Sequence, residues 1–105
     1  MKELAALQVL AEPHRIGILE LLRDGEQPVG QLVDRLGLSQ PAVSKHLRVL
    51  RDAGLVDARV DAQRRLYRIR PEPLADLDEW LDSYRKLWTT RLNRLESHLD
   101  QRRKT

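Results

Sequence analysis

Residues 29–54 contain two short amphipathic segments separated by only two or three residues, and this spacing constrains the fold more than any other feature of the chain. The first segment, about residues 29–36, has an apolar face and is broken by Gly37. The second begins at Ser39, a residue type suited to a helix N-cap, and has Pro41 in its first turn, where a missing N–H costs nothing. Two helices joined by so short a connection form a helix-turn-helix.

The two faces of the second segment differ in chemistry. Val43, Leu47 and Leu50 recur at spacings of four and three, so one face of this helix is anchored to a core. The opposite face carries small polar and basic side chains. Those that we expect at a contact surface are Ser39, Gln40, Pro41, Ser44, Lys45 and Arg48. Arg51 and His46 lie to the sides of this face, which favours a contact with a nucleic-acid backbone or a structural role.

Two further helices precede this pair. Residues 2–10 place leucines at three-residue spacing, and a second helix begins near Pro13, because proline suits the first helical turn. The second helix ends around Asp24, where Gly25 suits a left-handed C-terminal cap. The chain therefore begins with four consecutive helices.

A β-hairpin and a long helix follow. Alternation of apolar and polar residues predicts strands over 55–60 and 66–70, and the linker 61–65 makes them a hairpin with a basic tip. Over residues 74–102, apolar residues recur at spacings of three and four, which gives a continuous stripe on a helix about 43 Å long. We expect a mainly α single domain over residues 1–105, with the order α-α-α-α-β-β-α.

Charge along the chain is uneven. Residues 39–70 carry eight basic and three acidic side chains, net +5, whereas residues 1–38 have a net charge of −2 and residues 71–105 are neutral. A basic middle between balanced ends suggests contact with a polyanion such as nucleic acid. The alternative is compositional, since arginine outnumbers lysine 15 to 4 and arginine-rich surfaces are often only solvated.

Several classes of function are excluded by what the sequence lacks. Without cysteine the chain has no thiol chemistry, disulfide or thiolate metal site, and without a glycine-rich phosphate loop or a nucleophile–base pair we expect no enzyme. His14, His46 and His98 are far apart and share no helix face, so we expect neither a metal site nor a cofactor. No apolar run is long enough to cross a bilayer and no signal peptide opens the chain, which predicts a soluble, cytoplasmic protein.

The helix-turn-helix points to duplex DNA, because its second helix enters the major groove. Glutamine there reads adenine, serine contacts bases or phosphates, and the basic residues meet the DNA. Three residues of the hairpin tip would reach the adjacent minor groove or the phosphates. They are Gln63, Arg64 and Arg65. The alternative for this tip is a solvated turn. Arg59 and Arg68 would lie along the strands toward the DNA backbone.

Three segments resemble one known family. "LGLSQPAVSKHLRVLRDAGLV" at 36–56 is similar to the recognition-helix segment of the ArsR/SmtB family of bacterial winged-helix repressors. "LAEPHRIGILELL" at 10–22 resembles the family's second-helix segment, and "RRLYRI" at 64–69 its outgoing wing strand. The resemblance covers about residues 5–70. It implies a winged helix-turn-helix with the helix-turn-helix at 29–54.

The same resemblance implies a wing at 55–70 and a homodimer built from helices 1–10 and 74–102. Such a dimer would bind an inverted-repeat operator on double-stranded DNA and repress a nearby operon. The interface would contain Leu4, Leu7, Leu77, Leu81, Tyr84, Trp88, Leu92 and Leu95. The alternative is a winged-helix protein-interaction module without sequence-specific DNA binding. That module should present apolar or acidic residues on its recognition face, whereas this face is polar and basic.

The best-known members of that family sense metals, and this chain departs from them. Pro28 and Gly30 stand at the cysteine positions of the third-helix motif, and Asp78 stands where the last-helix site needs histidine. The resemblance is therefore to a member without the usual metal ligands. Trp80, Tyr84 and Trp88 suggest another way to control DNA binding, since they would line a pocket for an unknown small-molecule effector at the dimer interface. Their spacing of four also fits packing alone, which we favour.

Overall fold

A computed structural model describes residues 1–103, the last of these by its backbone alone. Within this range the chain forms five helices and three strands. The helices are α1 (Lys2–Leu10), α2 (Pro13–Leu22), α3 (Val29–Leu36), α4 (Gln40–Asp52) and α5 (Glu72–Arg103). The strands are β1 (Gln27–Pro28), β2 (Val56–Asp61) and β3 (Arg64–Ile69). The predicted class, mainly α with a small antiparallel hairpin, is confirmed.

Two residues determine the short turn between α3 and α4: one ends α3 and the other caps α4. Gly37 ends α3 with φ of +68°, a left-handed conformation that glycine adopts without steric cost. Ser39 then caps α4, because its side chain accepts a hydrogen bond from the backbone N–H of Ala42 at 3.3 Å. Both roles follow from local backbone chemistry, so the sequence located this turn correctly.

The buried face of α4 fixes the helix in the body of the chain. Val43, Leu47 and Leu50 are at most 1% exposed and join the core with Ile18 of α2 and Leu32 of α3. Each fully buried side chain of this size contributes about 1.5–3 kcal/mol by removal of apolar surface from water. Because this face is held inward, the opposite face of α4 must point to solvent.

Two expectations about the other elements, the end of α2 and the length of the hairpin connection, need correction. Helix α2 ends at Leu22, and Arg23 is its right-handed C-cap, so Gly25 is not a left-handed helix cap; its φ of +134° serves the turn that follows. The hairpin connection is two residues long, because Asp61 pairs with Arg64 and only residues 62–63 lie between them. Polar residues at an exposed strand end resemble loop residues, so the sequence predicted a connection of five residues (61–65) where the structure has two.

The strand β1 was not predicted, since two residues are too few to show alternation. Gln27 pairs with Tyr67 and Pro28 with Leu66, so the antiparallel sheet has the order β1-β3-β2. The hairpin is thereby tied to the segment that leads into α3, which fixes its position beside α4.

Helix α5 has 32 residues, about 48 Å at 1.5 Å per residue, and extends beyond the rest of the chain. Its first turns contact α1, whereas all its side chains over residues 83–102 are exposed. The radius of gyration is 19.3 Å, against about 13 Å for a compact chain of this length. Nowhere in residues 1–103 is a helix both long and apolar enough to cross a membrane.

Candidate nucleic-acid interface

All six α4 residues predicted for a contact surface are exposed: Ser39, Gln40, Pro41, Ser44, Lys45 and Arg48. They occupy the N-terminal half of the helix and its solvent side, opposite the three buried apolar residues. Ser44 and Arg48 line a groove with Arg51 of α4 and with Arg65 and Tyr67 of β3. The groove therefore joins α4 to the hairpin. It also includes Arg51, which the sequence placed only at the edge of this surface.

Arg64 and Arg65 lie on opposite faces of the hairpin, because successive side chains of a strand alternate. Arg65 shares a face with the buried Tyr67 and lines the groove beside α4. Arg64 shares the other face with Leu66, and its guanidinium lies 3.5 Å from the Asp61 carboxylate. The two arginines lie at the turn end of the hairpin but on different faces, and their contact with DNA stays a prediction. Both lie in β3, whereas Gln63 is exposed in the turn.

The other two arginines of the hairpin, Arg59 and Arg68, form ion pairs with carboxylates. The Nε of Arg59 donates to both carboxylate oxygens of Glu26 at 3.1 and 3.0 Å, and its Nη2 donates to the same group. The Nε of Arg68 donates to Asp57 at 2.8 Å across the β2–β3 pair. These ion pairs partly neutralise both arginines, whose contact with a DNA backbone stays a prediction.

Three cations on or beside the groove side of α4 have no such partner. Over residues 1–103, no carboxylate lies within 4.0 Å of the charged groups of Lys45, Arg48 or Arg65. All three are exposed and belong to α4 or to the β3 face beside it. The groove side of α4, which Asp52 also lines, therefore presents positive charges that are not neutralised by an ion pair.

The Glu26–Arg59 and Asp57–Arg68 pairs shift the pKa values of their members. The hydrogen bond from Arg59 lowers the pKa of Glu26 below its ordinary value, and that from Arg68 does the same for Asp57. The pKa values of the two arginines are raised by the same contacts. All four groups therefore stay ionised over a wider pH range than they would in the unfolded chain.

Acid is expected to weaken the hairpin for this reason. Because the folded pKa values of Glu26 and Asp57 lie below 4.5 and 3.8, their contribution to stability is complete above those values and is lost as the pH falls through the folded pKa values. Urea unfolding between about pH 6 and pH 3 should show declining stability, with a shallower decline in Glu26→Gln. Identical pH slopes for the variant and the parent chain would contradict this assignment.

The residues predicted at a dimer interface differ in exposure. Leu4, Leu81, Tyr84, Trp88, Leu92 and Leu95 are between 37% and 63% exposed. Leu7 is half-buried, and Leu77 is 7% exposed because it is buried within the chain, near the contact of α1 with α5. Trp80 and Tyr84 contact each other with ring centroids 5.2 Å apart. With Tyr84 56% and Trp88 63% exposed, the three aromatics do not enclose a pocket within one chain.

Two of the three histidines are brought together by the fold, which the sequence did not predict. His14 at the start of α2 and His46 on α4 lie beside Glu12, whereas His98 is exposed on α5. Partial desolvation acts to raise the pKa of Glu12, but the Arg15 backbone N–H and the two imidazoles outweigh it and hold that pKa below the ordinary value. Glu12 therefore stays ionised beside both rings.

Comparisons with known proteins identify the family of this chain. Residues 12–58 match the sequence profile described as bacterial regulatory protein, arsR family. The HTH-type transcriptional regulator Rv2034 of Mycobacterium tuberculosis is 44% identical over 87 residues, which cover 83% of this chain and 78% of that protein. The chain belongs to the ArsR family. The family suggested by the resemblance is thus confirmed.

Other members of the ArsR family support the same assignment. The biofilm growth-associated repressor of Agrobacterium fabrum is 41% identical over 71% of this chain, which spans 64% of that protein's length. The crystal structure of a possible transcriptional regulator for arsenical resistance matches with a TM-score of 0.69 at 44% identity, covering 87% of this chain and 92% of that one. ArsR-family proteins are winged-helix transcription factors and not enzymes, so this chain is a DNA-binding transcriptional regulator.

Proposed function

We propose that this regulator is a homodimeric repressor that binds an inverted-repeat operator. In each subunit α4 enters the major groove, and the hairpin contacts the adjacent minor groove or DNA backbone. The observation that carries the proposal is the placement of unpaired cations. Lys45, Arg48 and Arg65 lie on or beside the solvent side of α4 without an ion pair among the described residues, whereas the other three arginines of β2 and β3 each contact a carboxylate.

The leading end of α4 suits a groove about 12 Å wide. Ser39, Gln40 and Pro41 are exposed there and are small enough to approach base edges. In this proposal Gln40 pairs with adenine, and Ser44 contacts either a base or a phosphate. Lys45 and Arg48 follow one turn later and neutralise phosphates, which fixes the depth of the helix but carries no sequence information.

Dimerisation follows from the apolar stripe of α5. Beyond Leu77 the side chains of the stripe are between 37% and 63% exposed, although they are large and apolar. Pairing with a second copy removes this surface from water and provides two copies of α4. Because a two-fold dimer reads two half-sites about one DNA turn apart, the preferred operator is an inverted repeat. Trp88 and Tyr84 then pack across the dimer.

The repressor role has two supports. A dimer that covers one turn or more of promoter DNA blocks access of other proteins to it. The relative from Agrobacterium fabrum, which shares 41% of its aligned residues with this chain, is named a repressor. The chain itself offers no acidic or apolar recognition face of the kind an interaction module would need.

Selection of bound fragments from a genomic DNA library tests the operator. We expect enrichment of an inverted repeat whose half-sites lie about 10–10.5 base pairs apart, or a multiple of this. Gel shifts with the selected site should show affinity that falls steeply with salt, as phosphate contacts require. Binding that shows no preference for any inverted repeat would defeat the proposal of a specific operator.

A further inference from the structure

The side chains of Glu12, His14 and His46 converge on one point between the start of α2 and the middle of α4. The His14 and His46 ring centroids are 5.5 Å apart, with the ring planes inclined by 40°. Oε1 of Glu12 lies 3.1 Å from Nδ1 of His14, and Oε2 lies 3.8 Å from Nδ1 of His46. One potential ligand atom from each residue lies within 4.8 Å of the other two.

The Nδ1 atom of His46 lacks a partner, although it is buried. It makes no hydrogen bond to any described residue. Its distance of 3.8 Å from Glu12 is too long for one. Buried polar atoms are almost always paired, and one without a protein partner indicates that a water molecule or an ion completes its coordination. This nitrogen faces the same carboxylate that His14 contacts.

From these observations we propose that Glu12, His14 and His46 bind a borderline divalent transition-metal ion, with Zn²⁺ as the probe. Two imidazole nitrogens and one carboxylate oxygen suit Zn²⁺, Ni²⁺, Co²⁺ or Cu²⁺, whereas Mg²⁺ and Ca²⁺ prefer oxygen ligands alone. Tetrahedral coordination at about 2.0–2.1 Å separates ligand atoms by about 3.3 Å. The 3.1 and 3.8 Å distances are to different oxygens of Glu12, and one ligand atom from each of the three residues lies within 4.8 Å of the other two, so side-chain rotation has to bring them to this separation.

The existing hydrogen bonds leave room for coordination. Oε2 of Glu12 accepts the backbone N–H of Arg15 at 2.9 Å, as an N-cap carboxylate does. Each carboxylate oxygen has two lone pairs, so Glu12 keeps acceptor capacity toward both rings. The His14 side chain is 50% exposed, which gives an ion access from solvent, and a water molecule takes the fourth position.

The proposed ion connects α2 to α4. Glu12 and His14 stand at the N-terminus of α2, and His46 follows Lys45 on the helix that carries the proposed DNA-contacting residues. This place differs from the third-helix and last-helix positions, where the chain lacks ligands. Metal binding can be measured on the free protein, so its failure is distinguishable from a failure of the proposed operator binding.

The test is a Zn²⁺ titration of the full chain against a chromophoric chelator, with Co²⁺ absorption as a second readout. We expect one Zn²⁺ per chain and a visible Co²⁺ spectrum of four-coordinate intensity. His14→Gln is expected to weaken Zn²⁺ binding at least tenfold, and Glu12→Gln should do the same. His98→Gln is the matched control and should bind as the parent chain does. Zn²⁺ should also raise the Tm of the parent chain and of His98→Gln by several degrees, and not that of His14→Gln.

Imidazole NMR signals identify the ligands without substitution. On addition of Zn²⁺ the His14 and His46 ring resonances should shift together, while those of His98 stay in place. No binding at 100 µM Zn²⁺ would overturn the proposal. So would loss of binding in His98→Gln with retention in His14→Gln, which would place the ion on α5. Circular dichroism of each variant separates loss of a ligand from loss of the fold.

Discussion

Replacing Arg48 and Arg65 together by alanine is expected to weaken operator binding about 100-fold at fixed salt, or about 1.4 kcal/mol for each side chain. Both line the groove beside α4, and neither has a carboxylate partner within 4.0 Å in the described chain. Their charges are therefore available to phosphates without an ion pair having to be broken first. Fluorescence anisotropy with the selected operator measures the loss.

The matched control is Arg64→Ala with Arg68→Ala, which removes the same number of positive charges, both from the hairpin. Both of these arginines contact carboxylates, at 3.5 Å from Asp61 and 2.8 Å from Asp57. The control should change operator affinity by less than about threefold, within what long-range electrostatics alone produces. The groove pair should also lower the slope of log affinity against log salt by about two, one for each lost phosphate contact. Equal losses in the two double variants would show that net charge, and not the groove, governs binding.

Trp88→Glu is expected to convert the dimer to a monomer, with loss of at least about 4 kcal/mol of association free energy, or roughly 1000-fold. Trp88 is 63% exposed on the α5 stripe, so the substitution removes little intrachain packing. In a two-fold interface each substitution acts twice, once from each subunit. It replaces a large apolar contact with a carboxylate that pairing would have to desolvate. Light scattering after size-exclusion chromatography measures the mass directly.

Ser97→Glu is the control for this variant, because residue 97 lies on the side of α5 away from the stripe and is exposed. It should leave both the dimer and operator affinity unchanged, whereas Trp88→Glu should lose affinity because two linked half-sites become independent. A Trp88→Glu protein that stays dimeric at low micromolar concentration would refute the proposed interface.

The faces of α4 were predictable because their causes are local. Spacings of four and three place Val43, Leu47 and Leu50 on one side of any helix, and burial at 0–1% confirms the prediction. The turn before α4 was predictable for the same reason. Gly37 determines it by its left-handed backbone conformation, and Ser39 by one capping hydrogen bond.

The hairpin was harder, because strand register depends on the partner strand. Arg64 and Arg65 are adjacent residues of the same type. Strand pairing nevertheless brings Arg64 beside Asp61 and turns Arg65 toward the groove beside α4. The Glu26–Arg59 pair joins residues 33 positions apart, and no spacing rule connects them. Which arginines remain unpaired was therefore not readable from composition or from the charge of the segment.

The sequence by itself determined the order of the five helices and the hairpin, the helix-turn-helix and the polar, basic character of α4's outer face, since helical periodicity, capping and turn chemistry act over a few residues. Only the tertiary structure decided which charges are neutralised, and it alone brought His14 on α2 against His46 on α4. Those outcomes depend on how separate elements pack around a shared core. Packing is a property of distances in space, which the order of residues along the chain does not contain.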